Sequence, residues 1–120
     1  IQKMKHADAI ILASPTYFCN VTAEIKELID RAGRVGRAND YLFKNKIGAA
    51  IVSQRRAGAI HTFNSINLFF LLEQMIIPGS SYWNIGIGGE KGEVIEDTEG
   101  VSTMKMLAKQ IIWLLKKIHD

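Results

Sequence analysis

The sequence predicts an α/β fold built on a parallel β-sheet, and three observations favour this fold class. Residues 9–13 are apolar at every position, as is typical of a strand covered on both faces. Residues 47–52 form a second run of this kind, and a helix-patterned segment follows each run. The repeated alternation of strand and helix predicts parallel strands joined by right-handed crossovers.

The first predicted strand ends at Ser14 and Pro15, because proline donates no backbone hydrogen bond and restrains the residue before it. An ordered loop up to Asn20 should therefore lie at the carboxyl end of this strand. A helix is expected next, with Asn20 or Thr22 as its N-cap. Gly33 predicts the end of this helix, since glycine adopts the left-handed conformation found after helix C-termini.

The second half of the predicted sheet begins with a strand at residues 47–52, followed by a polar and basic loop. A helix is expected at residues 62–74. It is apolar on more than one face, which indicates deep burial or a subunit interface. A short third strand is predicted at residues 75–78, where Pro78 would close it.

The last part of the chain contains a glycine-rich, acidic segment and a periodic helix. Residues 80–98 show no regular period, and a connection of this length is usually functional or interfacial. Residues 101–118 carry apolar side chains at helical spacing. At the other end, Ile1, Met4 and Lys5 resemble the last turn of a helix, so we expect the chain to be a fragment of a longer domain.

Composition restricts the class of protein. A chain of 120 residues has room for one domain, and its single cysteine excludes an internal disulfide or a metal site made of several cysteines from this chain. The longest apolar stretch is interrupted by Glu73 and Gln74, well short of the roughly 20 residues that span a membrane. These features predict a cytoplasmic protein with no membrane partner.

Charge is distributed unevenly along the chain. Basic residues predominate between Arg31 and Arg56, and acidic residues predominate between Glu90 and Glu99. The basic region could steer an anionic partner or could simply be a solvated face. No aromatic residues are interleaved with these charges in the way that nucleic-acid interfaces require, so we expect no nucleic-acid partner.

The chain resembles the NAD(P)H-dependent FMN reductases of the flavodoxin-like superfold, and most closely their iron-sulfur flavoprotein branch. Three stretches carry the resemblance: ADAIILASPTYFCNVTAEIKELIDR, SQRRAGAIHTFNSINLFF and QMIIPGSSYWNIGIG. The resemblance implies a three-layer α/β/α sandwich with a parallel sheet ordered 2-1-3-4-5. Residues 1–120 would then be the C-terminal portion of a single flavin-binding domain, lacking its first two strands.

The same resemblance implies that two of the three flavin loops are present. The implied FMN-binding residues are Ser14, Pro15, Thr16, Tyr17, Phe18, Asn20, Gln54, Arg55, Arg56, Ala57 and Gly58. No catalytic acid, base or nucleophile and no metal ligand is implied within the chain. The loop that holds the FMN phosphate, and the compact cysteine cluster of the iron-sulfur branch, would lie on residues outside it.

Three functions remain open from the sequence. The first is an oxidoreductase that takes hydride from NADH or NADPH onto FMN and passes electrons to a small-molecule or protein acceptor. The second is an iron-sulfur flavoprotein that carries electrons between partner proteins without nicotinamide chemistry. The third is a flavin-free binding module, because fold alone does not fix function. The protein is expected to form a homodimer or homotetramer through its phenylalanine-rich helix and the Tyr82-Trp83 segment.

Several residues near the predicted loops have two interpretations. Arg55 or Arg56 could stabilise the negative charge of a reduced flavin, or both could point to solvent. Cys19 could be a reactive thiol or an inert small side chain. Tyr82 and Trp83 could close over the flavin or could form an oligomer contact. Tyr17 and Phe18 could likewise pack on a flavin ring or lie in the core.

Overall fold

A computed structural model describes residues 1–119 of the chain. Its helices are α1 (Gln2–His6), α2 (Ala23–Ala38), α3 (Ala59–Leu72) and α4 (Thr98–His119). Its strands are β1 (Ala9–Pro15), β2 (Ile47–Gln54) and β3 (Ile85–Ile87), and a short 3-10 helix covers Glu93–Glu96. The strands form one parallel sheet in the order β1-β2-β3, so the predicted parallel α/β architecture is confirmed.

Two hydrophobic clusters cover the sheet from opposite sides. On one side, Ile10, Ala50 and Val52 pack with α2 and α3. On the other side, Ile47 and Ala49 pack with α4, chiefly through a stripe of its apolar side chains that includes Leu107 and Ile111. The result is the expected three-layer arrangement of helix, sheet and helix.

Strand β1 departs from the expectation that both of its faces are covered. Its residues alternate between buried and exposed, with Ile10 and Leu12 buried and Ile11 52% exposed. The alternation arises because α4 packs mainly against β2 and β3, which leaves the Ile11 face of β1 without a covering helix in the described residues.

Helix α2 begins as predicted but does not end at Gly33. Thr22 is the N-cap, and its Oγ1 accepts a hydrogen bond from the N–H of Ile25 at 3.3 Å. The helix continues through Gly33 to Ala38, and the glycine that close packing requires is Gly36. A Cβ on Gly36 would collide with the carboxylate of Glu73.

The predicted third strand at residues 75–78 is wrong. Ile76 makes only an isolated bridge to Ile47, and Pro78 has no N–H with which to extend a ladder. The third strand is instead β3, which lies within the segment expected to be irregular. Helix α3 also starts earlier than predicted, at Ala59, because the side chain of Gln54 accepts a hydrogen bond from the Ala59 N–H at 3.0 Å.

Candidate functional site

A tight turn follows the carboxyl end of β1. Tyr17 and Asn20 form two reciprocal backbone hydrogen bonds of 3.0 and 3.1 Å, and Phe18 and Cys19 between them have φ angles of 48° and 60°. Left-handed backbone at two consecutive residues with side chains is unusual and costs energy, so the surrounding structure must impose it. The turn places the side chain of Phe18 fully in solvent.

The polar side chains before and after this turn hold it in place. Ser14 is buried, and its Oγ accepts a hydrogen bond from the Thr22 N–H at 3.0 Å. The Oδ1 of Asn20 accepts hydrogen bonds from the Val21 N–H at 2.8 Å and from the Ser65 hydroxyl at 3.1 Å. The second bond ties the turn to α3.

The loop after β2 meets this turn directly. Gly58 has a φ of +92°, and a Cβ built on it would lie 2.8 Å from the Sγ of Cys19. Only a residue without a side chain fits both the backbone angle and this approach. The two loops that the sequence singled out are therefore in contact at the carboxyl ends of β1 and β2.

The loop after β1 contains hydrogen-bonding groups that have no partner in the described residues. The Oγ1 of Thr16 is buried and has no partner within residues 1–119. The N–H groups of Phe18 and Cys19 also take part in no hydrogen bond within this part of the chain. Buried polar groups are normally paired, so an unpaired hydroxyl beside free N–H groups indicates a place for a polar ligand.

A cavity of about 370 Å³ lies on the β3 side of the second loop. Its walls include Arg56 and the side chains of Tyr82 and Trp83, whose rings contact each other with centroids 4.8 Å apart. Arg55 is exposed and does not line this cavity. The Tyr82-Trp83 segment thus lies beside the predicted loop, which is compatible with either of its two interpretations.

The predicted site residues do not all share one cavity. Gln54, Arg56, Ala57 and Gly58 line the cavity beside Trp83. Ser14 and Pro15 line a separate cavity of about 380 Å³ whose other wall comes from α4 and the 3-10 segment. Tyr17, Phe18 and Asn20 are exposed, so Tyr17 and Phe18 are not core residues.

Asp97 is a polar residue of this region that the sequence analysis missed. Its carboxylate accepts hydrogen bonds from the Gly100 N–H at 3.0 Å and from the Ile87 N–H at 2.8 Å. These backbone donors, led by that of Gly100, lower the pKa of Asp97 below its ordinary value. The capping role of Asp97 could have been predicted, because an aspartate directly before a helix is a common N-cap. Its hydrogen bond to β3 could not, because the sequence did not reveal where that strand lies.

Metal-binding geometry is not found in the described part of the chain. Within residues 1–119, no three histidine, cysteine, aspartate or glutamate side chains come together as a metal-binding group. Cys19 is free and exposed. No helix among these residues has the length and apolar character needed to cross a membrane.

Comparison with known proteins identifies the family. The family model described as NADPH-dependent FMN reductase matches residues 1–90. The chain belongs to this family. That confirms the resemblance drawn from the sequence.

Similar proteins agree with the iron-sulfur flavoprotein branch of this family. The chain is 35% identical to an iron-sulfur flavoprotein of Methanocaldococcus jannaschii over 98% of its own length and 64% of that protein. It is 36% identical to an iron-sulfur flavoprotein of Methanosarcina thermophila, over 98% of its own length and 61% of that protein. The chain therefore spans about three fifths of the length of these relatives.

Solved structures confirm the fold class. A flavodoxin, WrbA-like protein from Agrobacterium tumefaciens superposes with a TM-score of 0.68 at 14% identity, covering 91% of this chain and 71% of that one. The Trp repressor binding protein of Bacillus subtilis gives 0.67 at 17% identity, covering 92% and 65%. The chain thus has a flavodoxin-like fold.

Proposed function

We propose that the loops after β1 and β2 hold the isoalloxazine ring of FMN in a flavin-dependent oxidoreductase. The observation that carries the proposal is the contact between Cys19 and Gly58, which brings the two loops together in a member of the FMN reductase family. In open α/β sheets, ligands bind at the carboxyl ends of the strands, where both loops lie.

The chemistry of the available donors fits a flavin. The polar edge of the isoalloxazine presents carbonyl oxygens and ring nitrogens that accept hydrogen bonds. The buried hydroxyl of Thr16 and the free N–H groups of Phe18 and Cys19 would bind such acceptors without displacing an existing partner. The exposed aromatic side chains of Tyr17 and Phe18 are available to pack against a ring.

The loop after β2 would complete the binding site. Gln54 and the segment Arg56 to Gly58 line a cavity beside β3, and Arg56 is the basic residue of this lining, which also contains Asp97 and Glu99. A fixed positive charge near the pyrimidine part of a flavin favours the negative charge that reduction adds. We therefore assign Arg56, in preference to Arg55, the role of tuning the cofactor.

The proposed reaction is hydride transfer from NADH or NADPH, with electrons then passed to a small-molecule or protein acceptor. Bound FMN supplies the hydride-accepting and electron-donating chemistry. The residues of this chain would bind and orient the cofactor and place a positive charge beside it. Such chemistry needs no acid, base or nucleophile from the chain.

A second candidate function is electron carriage between partner proteins without nicotinamide chemistry. It is favoured by the names of the similar proteins from Methanocaldococcus jannaschii and Methanosarcina thermophila, both of which are called iron-sulfur flavoproteins. In this case a cluster would be held by residues outside the chain, in keeping with its single cysteine. A flavin-free binding module on the same fold is the third possibility.

We further propose a cytoplasmic homodimer or homotetramer, with neither nucleic acid nor a membrane as partner. Self-association is favoured by large apolar side chains that stay exposed, among them Leu68 on α3 and the Tyr82-Trp83 pair. The phenylalanines expected at this interface are placed differently. Phe69 and Phe70 face the core, and leucines occupy the outer face of α3.

Stopped-flow mixing with NADH and NADPH separates the two main candidates. The experiment uses the full protein loaded with FMN, and flavin absorbance is the signal. Fast bleaching by either nucleotide supports the reductase, whereas inertness toward both, with reduction by a one-electron donor, supports the carrier. A protein that stays colourless after incubation with FMN would contradict both.

A paired substitution tests the loop assignment itself. Thr16→Val removes the buried hydroxyl and should raise the FMN dissociation constant by about 2- to 10-fold, the value of one hydrogen bond. Thr98→Val is the matched control, because Thr98 lies exposed at the start of α4. Equal affinity in wild type and the Thr16 variant would contradict the assignment.

A further inference from the structure

Glu73 is an acidic residue sealed between two helices. It directly follows α3 and is completely buried. One of its carboxylate oxygens lies 3.7 Å from the position that a Cβ on Gly33 would occupy, and a Cβ on Gly36 would collide with the other oxygen. The ring of Phe43 closes the same space, because it lies 3.0 Å from that Gly36 position. The carboxyl group therefore fills the gap between the end of α3 and the body of α2.

The charge of an ionised Glu73 would be poorly compensated in this gap. Neither carboxylate oxygen has a hydrogen-bond partner within residues 1–119. The residue also stands at the C-terminus of α3, where the helix dipole disfavours a negative charge. Burial accordingly raises the pKa of Glu73 above its ordinary value of 4.5, and the nearby charge of Arg37 offsets this only in part. A protonated carboxyl group avoids the cost of burying an unpaired charge.

The charged side chains that line the cavity beside Glu73 all lie on α2, within the part of the chain that the structure describes. They are Asp30, Arg34 and Arg37. Asp30 is already paired with Lys26 at 2.6 Å. Arg37 lies over the ring of Tyr41, with 5.6 Å between its guanidinium carbon and the ring centroid. Arg37 is thus the cation placed to leave that ring and pair with Glu73 when the carboxyl group ionises and the gap opens.

The two helices that enclose Glu73 also carry the loops of the candidate site. Helix α2 starts directly after the turn at Phe18 and Cys19, and α3 starts directly after Gly58. The Ser65 hydroxyl of α3 donates a hydrogen bond to the Asn20 side chain at 3.1 Å. A change in the packing of α2 against α3 would therefore reach the contact between the two loops.

We propose that Glu73 is a proton switch, which holds a proton while α2 and α3 are packed and loosens the two helices and their loops when it loses that proton. The two states differ in the charge of one carboxyl group and in the partner of Arg37, which is the local change that such a switch requires. The bound proton is independent of the flavin chemistry. The effect on FMN binding rests on the proposed function.

Thermal unfolding of the full protein at a series of pH values tests the switch. Because the pKa of Glu73 is raised in the folded state, stability is lost as the pH rises from the ordinary value of 4.5 through the raised one. Glu73→Gln cannot titrate, so its melting temperature should gain about 2 °C or more on wild type over this rise. Glu96→Gln is the control, since Glu96 is exposed in the 3-10 segment, and its difference from wild type should stay constant. A constant difference for Glu73→Gln would overturn the proposal.

Infrared spectroscopy detects the proton itself. The carbonyl stretch of a protonated carboxylic acid should persist in wild type above the ordinary pKa of 4.5 and should be missing from Glu73→Gln. Arg37→Ala keeps the test valid where Glu73→Gln does not fold, because Arg37 is exposed. Loss of its offsetting charge should extend the band to higher pH. A wild type without the band above the ordinary pKa would overturn the proposal, as would a band unaffected by either substitution.

Fluorescence titration with FMN tests the effect on the loops. Over the same rise in pH, the FMN dissociation constant of the full wild-type protein should increase by about 3-fold or more relative to that of Glu73→Gln. A constant ratio of the two dissociation constants, together with a pH-dependent stability difference, would overturn the coupling to the loops. Absence of FMN binding from both proteins would contradict the proposed function, and the infrared band would still decide whether Glu73 holds a proton.

Discussion

The Sγ of Cys19 lies 2.8 Å from the point that a Cβ on Gly58 would occupy. One residue belongs to the turn after β1 and the other to the loop after β2, so this contact sets how closely the two loops approach. Both have left-handed backbone, with φ angles of 60° and +92°. The candidate flavin site therefore depends on a contact between two residues whose left-handed backbone conformation is energetically unfavourable for most residue types.

Gly58→Ala should destabilise the protein by about 1 kcal/mol or more, because the new Cβ meets a left-handed backbone and the Cys19 sulfur. Thermal unfolding measures the loss. Gly79→Ala is the control, since nothing lies within 4 Å of a Cβ at that position. Cys19→Gly should restore part of the loss by removing the sulfur. An unchanged midpoint in Gly58→Ala would contradict the close contact.

The contact was predictable in outline but not in detail. The run of apolar residues ending at Pro15 identified β1 and its loop, and the topology of parallel sheets placed the next loop beside it. The left-handed turn at Phe18 and Cys19 was not predictable, because neither residue type favours that conformation. Their φ angles are imposed by the bonds between Tyr17 and Asn20 and by the packing around them.

The errors in the predicted elements have separate physical causes. Gly33 was predicted to end α2. The local sequence alone does not distinguish a glycine that ends a helix from one inside a helix. At Gly33 the helix simply continues, and the close approach of Glu73, from a distant part of the sequence, instead requires a glycine at position 36. Strand β3 was missed because it is three residues long and contains Gly86, so it carries too little pattern to stand out from its surroundings.

Asp97→Asn should lower the melting temperature by a few degrees at neutral pH. The carboxylate joins β3 to the start of α4, and its backbone hydrogen bonds lower its pKa from the ordinary 3.8. A lowered folded-state pKa contributes stability above the ordinary value, and that stability is lost as the pH falls through the lowered one. The gap between wild type and variant should therefore close in acid. Glu99→Gln, two residues away, should show no such pH-dependent gap.

Arg56→Ala should raise the FMN dissociation constant by about 10-fold or more, the value of a hydrogen bond to a charged group. Arg55→Ala is the matched control, because it removes the same side chain one position away and outside the cavity. Fluorescence titration of the flavin-free full protein measures both. Equal effects of the two substitutions would show that the loop acts only through its net charge.

A further prediction concerns the free edge of β1. This strand pairs only with β2 in the described sheet, and Ile11 on its uncovered face is 52% exposed. An apolar strand whose backbone N–H and C=O groups are unpaired along one edge tends to pair with strands of other chains. Residues 1–120 expressed alone should therefore aggregate, and Ile11→Lys should suppress aggregation by placing a charge on that face. Leu71→Lys is the control, because Leu71 is 60% exposed but lies on α3, which packs on the opposite side of the sheet from Ile11.

The same 120-residue chain should bind FMN much more weakly than the full protein. The family resemblance assigns the phosphate to a loop outside these residues, and each hydrogen bond to a charged group contributes about 1.5 to 3 kcal/mol. Several such bonds would be missing, so the loops after β1 and β2 would hold only the ring. Gel filtration combined with flavin fluorescence titration measures both properties. A monomeric chain that unfolds cooperatively and binds FMN as tightly as the full protein would show that the β1 edge and the phosphate loop implied by the resemblance contribute little.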